Sequence, residues 1–69
     1  MQGTVKGLKL DRGFFFIHPT DGSRDVFAHC TAVEGLDFDA TLNERLVEFE
    51  IGVDHKSGKE RAVRVRPAT

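Results

Sequence analysis

The stretch RGFFFI, at residues 12–17, is the part of this 69-residue sequence that decides the fold. Side chains alternate between the two faces of a β-strand, so Phe14 and Phe16 share one face while Phe15 and Ile17 share the other. Only one of these faces can become the core of a small sheet. The other face then exposes aromatic rings to water, and such an exposed apolar patch indicates a binding surface.

A second stretch, DVFAHC at residues 25–30, repeats this alternation. Val26 and Ala28 share one face of the predicted strand, and Phe27 and His29 share the other. If the two stretches are antiparallel neighbours, their outer faces combine into one surface. We call this set the aromatic platform: Phe14, Phe16, Phe27 and His29. The alternative, in which every phenylalanine lies in the core, is disfavoured because a two-layer core cannot use both faces of a strand.

Flat rings next to cations suit nucleic acid whose bases are unstacked. Each base offers a π-face to a ring, and each phosphate offers a negative charge to a side chain such as Lys6 or Arg12. The residues alone therefore predict a surface for single-stranded nucleic acid.

The order of four short motifs resembles that of the bacterial cold-shock domain: GTVK at 3–6, RGFFFI at 12–17, DG at 21–22 and DVFAH at 25–29. The two aromatic stretches are similar to the first and second ribonucleoprotein motifs of that family. The resemblance covers nearly the whole chain. It implies a single all-β domain over residues 1–69, a small five-stranded antiparallel OB-fold barrel that binds single-stranded RNA or DNA.

The resemblance also implies which residues contact nucleic acid: Lys6, Arg12, Phe14, Phe16, Phe27, His29 and Phe38. Arg12 stands where the family has a lysine. Three aromatic positions of the family are absent, because Gly7 replaces a tryptophan and Leu8 and Cys30 replace phenylalanines. Since stacking contributes roughly 1–3 kcal/mol per base, we expect weaker binding unless other residues compensate.

Two aromatic residues have two possible placements. Phe15 stands where the family usually has glycine. It either fills space that Ala28 leaves by being smaller than the usual valine, or turns outward through a bend at Gly7 to replace the missing tryptophan. Phe38 lies in an acidic loop, where its ring either stacks on a base, as in the family, or packs on its own domain.

Alternation and turn signals predict five strands, at residues 2–10, 14–18, 25–30, 45–53 and 61–66. A short helical turn is predicted at 31–33 and a polar loop at 34–43. The fourth strand should bury Val47, Phe49, Ile51 and Val53, and the fifth should bury Val63 and Val65 while exposing Arg64 and Arg66.

Charge is segregated along the chain, although the net charge is only −1. Residues 34–54 carry one basic and seven acidic side chains, whereas residues 55–69 carry five basic and one acidic. Phosphate should therefore avoid the middle of the chain and approach its two ends. Because few phosphates are neutralised, we expect a shallow salt dependence.

No pattern in the sequence indicates an enzyme, a metal or a cofactor. His29 and Cys30 are adjacent on a predicted strand and point to opposite faces, and neither Cys-x-x-Cys nor His-x-x-x-His spacing occurs. The single cysteine excludes an internal disulfide and fits a reducing, cytoplasmic setting. No apolar run reaches the roughly 20 residues of a membrane span, and no signal peptide is predicted.

The predicted function is single-stranded nucleic-acid binding with low sequence specificity, in the manner of an RNA chaperone that influences transcription or translation. We expect a monomer, with a weak dimer left open. The alternative is a divergent OB-fold module whose apolar face docks a protein partner. Salt separates the two, because nucleic-acid binding weakens as salt rises and apolar docking does not.

Overall fold

Five strands and two short 3₁₀ helices make up the computed structural model, which describes residues 1–35 and 37–68. The strands are β1 (Gln2–Lys9), β2 (Phe14–Pro19), β3 (Val26–His29), β4 (Leu46–Val53) and β5 (Glu60–Pro67). The 3₁₀ helices are Cys30–Ala32 and Ala40–Leu42. All five predicted strands are confirmed to within two residues. Within the described ranges no helix has the length and apolar character that crossing a membrane requires.

The strands close into a barrel in the order β1-β2-β3-β5-β4. The neighbours β1–β2, β2–β3, β1–β4 and β4–β5 are antiparallel, as predicted. The closing contact between β3 and β5 is parallel and joins Ala28 to Ala62. The predicted all-β five-stranded barrel is therefore confirmed.

The core is the side-chain layer that faces the inside of this barrel. Its members are at most 1% exposed: Val5, Phe15, Ile17, Ala28, Leu42, Val47, Phe49, Ala62 and Val65. Phe15 is completely buried and lies directly opposite Ala28 in the β2–β3 register. The outward placement of Phe15 is therefore wrong, and the inward placement is confirmed.

The inward face of β5 differs from the prediction. Ala62 and Val65 are buried, whereas Val63 is only partly buried. The reason is a bulge at Arg64, whose φ is 51°. Across the bulge the register with β4 shifts, and the alternation restarts on the other side. The prediction assumed that side chains alternate strictly along β5, and it therefore put Val63 in the core. In the structure Ala62 takes that place, so the prediction for Val63 is wrong.

The inward face of β4 is shorter than predicted. Val47 and Phe49 are buried as expected, Ile51 is partly buried, and Val53 is 56% exposed. Val53 is the last residue of the strand, next to the turn before β5, where no layer remains to cover it. The prediction that Val53 faces the core is therefore wrong.

Irregular pairing in β1 positions the cations beside the platform. Lys6 is opposite Phe16 and Lys9 is opposite Phe14, with a bulge between them. Gly7 lies in this bulge with a φ of 59°, a left-handed conformation that glycine adopts without steric cost. The bulge therefore places a lysine opposite each of the two outward rings of β2.

Candidate nucleic-acid interface

The register of β2 against β3 assembles the aromatic platform. Phe14 lies opposite His29, and Phe16 lies opposite Phe27. Phe16 and Phe27 are 37% and 38% exposed, so both rings present apolar surface to water. The predicted meeting of the four side chains on one outer face is therefore confirmed. Their contact with a nucleic acid stays a prediction.

The three phenylalanine rings form a triangle, but they do not share a plane. The Phe14 and Phe27 centroids are 5.6 Å apart with planes 35° apart. The Phe16 ring is nearly perpendicular to both, at 83° to Phe14 and 75° to Phe27. The alternation predicted only that these flat rings share one face; the structure adds their angles, with two tilted rings and one ring turned edge-on to them.

His29 is held in place by the chain that follows it. It caps the first 3₁₀ helix, and its Nδ1 accepts a hydrogen bond from the Thr31 backbone N–H at 3.3 Å. These local contacts fix the orientation of the His29 ring, whose flat face belongs to the platform.

Of the two predicted cations, Lys6 pairs with a platform residue and Arg12 lies in the turn that precedes β2. Lys6 is the β1 residue that pairs with Phe16 of β2. Its Nζ atom lies 4.0 Å from Glu44 Oε1. Arg12 is exposed in the turn between β1 and β2, which closes through hydrogen bonds from the Arg12 and Gly13 N–H groups to the Lys9 carbonyl. Gly13 has a φ of 75°, so this turn requires a residue without a side chain.

Phe38 lies away from the other predicted site residues. Its ring is half-buried and packs on the core, with its centroid 6.1 Å from that of Phe15. Phe15 belongs to the layer beneath the platform, so the structure favours packing of Phe38 on its own domain. Its stacking on a base stays a prediction.

Gly7, Leu8 and Cys30 occupy the three positions where the family has aromatic residues, so the platform lacks rings on β1 and after His29. A Cβ atom on Gly7 would lie 3.4 Å from Phe16 Cδ2, so the Phe16 ring leans over Gly7. Leu8 is half-buried against the core. Cys30 is half-buried, with its Sγ 3.7 Å from His29 Nδ1. None of the three supplies a flat surface for a base.

Two cations beside the platform were not singled out from the sequence. Arg61, on β5, borders a hollow that includes Phe27 and a second hollow that includes His29, and Lys59 borders the Phe27 hollow. The available signal was the basic composition of residues 55–69, but only the closure of β5 onto β3 shows which of these cations reaches the platform.

No group of three or more metal-ligating side chains gathers within residues 1–35 and 37–68. The hydrogen bonds of the histidines are local instead: His18 Nδ1 is 2.7 Å from Asp25 Oδ1, and His29 Nδ1 is 3.0 Å from Thr31 Oγ1.

A closed five-stranded barrel with aromatic side chains exposed on β2 and β3 is an OB-type barrel. The family model described as the 'Cold-shock' DNA-binding domain matches residues 1–68. The chain therefore belongs to the cold-shock domain family. This is a family of nucleic-acid-binding proteins that are not enzymes, which supports nucleic-acid binding as the general function of the chain.

Curated relatives carry matching names. The chain is 46% identical over 63 residues to the probable cold shock protein A of Mycobacterium tuberculosis, which covers 91% of this chain and 94% of the relative. It is 42% identical over 66 residues to the cold shock protein CspA of Rhizobium meliloti, with 96% of each chain covered. It is 54% identical over 52 residues to the cold shock-like protein CspG of Escherichia coli K12, with 74% and 73% covered.

Proposed function

We propose that this protein binds single-stranded RNA or DNA with low sequence specificity. Bases stack on the aromatic platform, and Lys6 and Arg12 hold the phosphates. The observation that carries the proposal is the triangle of outward-facing rings, the half-buried Phe14 and the exposed Phe16 and Phe27, with centroids no more than 6.0 Å apart. Phe38 contributes from the margin through the part of its ring that remains exposed.

The angles between the rings support single strands over duplexes. In a duplex, successive bases lie parallel in one stack, but the Phe16 plane is turned by 75° from that of Phe27. Bases on these two rings must be splayed apart, which only an unpaired strand allows without loss of base pairs. Phenyl rings carry no hydrogen-bonding pattern, so stacking on them discriminates little between bases.

In the cell, such binding would keep strands from pairing. A base held on the platform is unavailable to a complementary strand, so the protein acts as an RNA chaperone in the cytoplasm, with consequences for transcription or translation. It needs no cofactor and acts as a monomer. The names of its relatives as cold shock proteins support this role.

Fluorescence anisotropy of a labelled pyrimidine-rich strand of about seven nucleotides, with a duplex as control, tests the proposal. A Phe14→Ala/Phe27→Ala variant should lose at least roughly thirtyfold in affinity, since two stacking surfaces are removed. Leu46→Ala is the matched control, because Leu46 is a similarly exposed apolar side chain on β4. Circular dichroism melting confirms that each variant folds.

Absence of binding by the wild type at high micromolar concentration and low salt would contradict the proposal. Equal binding of the duplex would contradict the preference for single strands. In the first case the exposed rings would be assigned to a protein partner, whose docking should not weaken as salt rises.

A further inference from the structure

Arg61 occupies a distinctive place beside the platform. It precedes Ala62, the β5 residue that pairs with Ala28 of β3. Phe27 and His29 flank Ala28 in the chain, so the closing contact of the barrel brings Arg61 next to both. Arg61 is exposed and therefore accessible to a ligand on the platform.

The hollow bordered by His29 and Arg61 is a groove that residues of β5 also line, as far as Arg64. We call it the β5 groove; it lies between the first 3₁₀ helix and β5 and has a volume of about 280 Å³. Its polar lining is His29, Thr31, Glu34, Arg61 and Arg64, and its floor is apolar.

The bulge in β5 is the reason that two arginines share this groove. Residues three apart in a regular strand point to opposite faces. The positive φ of Arg64 breaks the alternation, and Arg61 and Arg64 both line the groove. Glu50 approaches Arg64 at Nε, 3.5 Å away, and a guanidinium has further N–H donors beyond that one.

Charge distinguishes the β5 groove from the hollow beside Phe27. The Phe27 hollow pairs Lys59 and Arg61 with two carboxylates, those of Asp54 and Glu60. There the Lys56 backbone N–H, and to a lesser degree the Arg61 charge, lower the pKa of Asp54, so that carboxylate stays ionised. The lining of the β5 groove has two arginines against one carboxylate, that of Glu34, and Glu50, which is outside this lining, pairs with Arg64 Nε. Phosphate is therefore better matched to the β5 groove.

A strand that continues past His29 toward Cys30 finds few groups that could bind it. Cys30 has no ring, and the Phe38 ring packs on Phe15 beneath the platform. A strand that has stacked a base on His29 meets guanidinium groups on the β5 side. On the Cys30 side the thiol supplies no ring, and Phe38 offers only the part of its ring that the core leaves exposed.

We propose that the strand leaves the platform past His29 and enters the β5 groove, where Arg61 and Arg64 bind its phosphodiester backbone. This inference rests on the proposed function and specifies the path of the strand. Guanidinium groups match phosphate oxygens in bidentate geometry, and two of them in one groove define where a phosphate sits.

The test compares salt dependences by anisotropy for the wild type, Arg61→Gln, Arg64→Asn and the double variant. Asparagine at 64 tolerates the left-handed backbone. Each arginine that contacts a phosphate should lower the slope of log affinity against log salt by about 0.7, which from counterion release alone means roughly eightfold weaker binding at 50 mM salt. Arg66→Gln is the matched control, because Arg66 is exposed on β5 but does not line the groove.

A second measurement locates the phosphate on the strand. Single methylphosphonate substitutions remove one charge at a time, and one position should weaken binding to the wild type while leaving the double variant unaffected.

Each contrary result has its own meaning. A slope unchanged in both arginine variants, or lowered equally by Arg66→Gln, overturns the β5 path. If the wild type binds and Phe14→Ala/Phe27→Ala does not, the platform stands even when the β5 path fails. If the wild type does not bind at all, both proposals fail together.

Discussion

Phe15 and Ala28 face each other across β2 and β3, and both side chains are completely buried. A large ring is thus paired with a methyl group at the layer directly beneath the platform. The platform rings Phe14, Phe16 and Phe27 are carried by the same two strands, so the packing of this inner pair sets the support on which the outer rings rest.

Ala28→Val should destabilise the protein through overpacking. The added methyl groups have no free space opposite the Phe15 ring, and we expect the free energy of unfolding to fall by about 1–3 kcal/mol. Urea denaturation followed by circular dichroism measures it. Ala40→Val, at an exposed position, is the control and should have little effect. An unchanged melting temperature for Ala28→Val would show that Phe15 does not fill this space.

Arg64→Asn should stabilise the fold. Arg64 has a φ of 51°, a conformation that costs most side chains about 1–2 kcal/mol and asparagine less. The exposed ion pair with Glu50 is lost, but such pairs contribute at most about 1 kcal/mol. We expect a net gain of about 0.5–1 kcal/mol in the free energy of unfolding. Arg66→Asn should not raise the free energy of unfolding. A lower free energy of unfolding in Arg64→Asn would show that the backbone at Arg64 is not strained.

Gly7→Trp should not simply restore the missing ring of the family. The left-handed backbone at Gly7 resists a side chain, and the Phe16 ring already leans over the position. We expect a loss of about 1–2 kcal/mol in thermal or chemical unfolding, with Gly7→Asn losing less. A Gly7→Trp variant as stable as the wild type that also binds a single strand more tightly would show that the β1 bulge opens readily.

Glu44→Gln should strengthen nucleic-acid binding. The Glu44 carboxylate is 4.0 Å from the Lys6 ammonium and competes with a phosphate for it. Because the pair is exposed, the expected gain in affinity is about two- to threefold at low salt. Glu48→Gln makes the same change of charge on β4 without a recorded contact to Lys6. An equal gain in both variants would assign the effect to net charge alone.

Asp39→Ala should lower thermal stability near neutral pH and have less effect in acid. Hydrogen bonds from the Thr41 hydroxyl and then the Thr41 backbone N–H lower the pKa of Asp39 below its ordinary value. A carboxyl whose pKa is lower in the folded state stabilises the fold above its unfolded pKa, and this contribution is lost as pH falls through the folded pKa. Melting temperatures of variant and wild type should therefore converge at low pH, and a constant difference would contradict the prediction.

The platform could be predicted from sequence because strand alternation depends only on neighbouring residues. Phe14 and Phe16, like Phe27 and His29, lie on one face whatever the rest of the chain does. Ring angles could not be predicted in this way. The perpendicular setting of Phe16 depends on its side-chain rotamer, which the alternation of a strand does not determine.

The β5 errors have a different cause. A bulge adds one residue to one strand, and nothing in AVRV marks Arg64 as the residue with a positive φ. The sequence prediction therefore continued the alternation past Arg64 without a break, and it wrongly placed Val63 on the inward face. Leu42 was missed as a core residue for a similar reason, because its burial depends on the second 3₁₀ helix folding against the barrel.

The short parallel contact between β3 and β5 also affects where the barrel opens locally. It joins the strands at Ala28 and Ala62, so this seam is where local opening should require the least free energy. A phosphate bound between His29 of β3 and Arg61 of β5 would link the two strands and oppose their separation. Bound nucleic acid should then slow amide hydrogen exchange in β3 and β5 more than in β1 or β4.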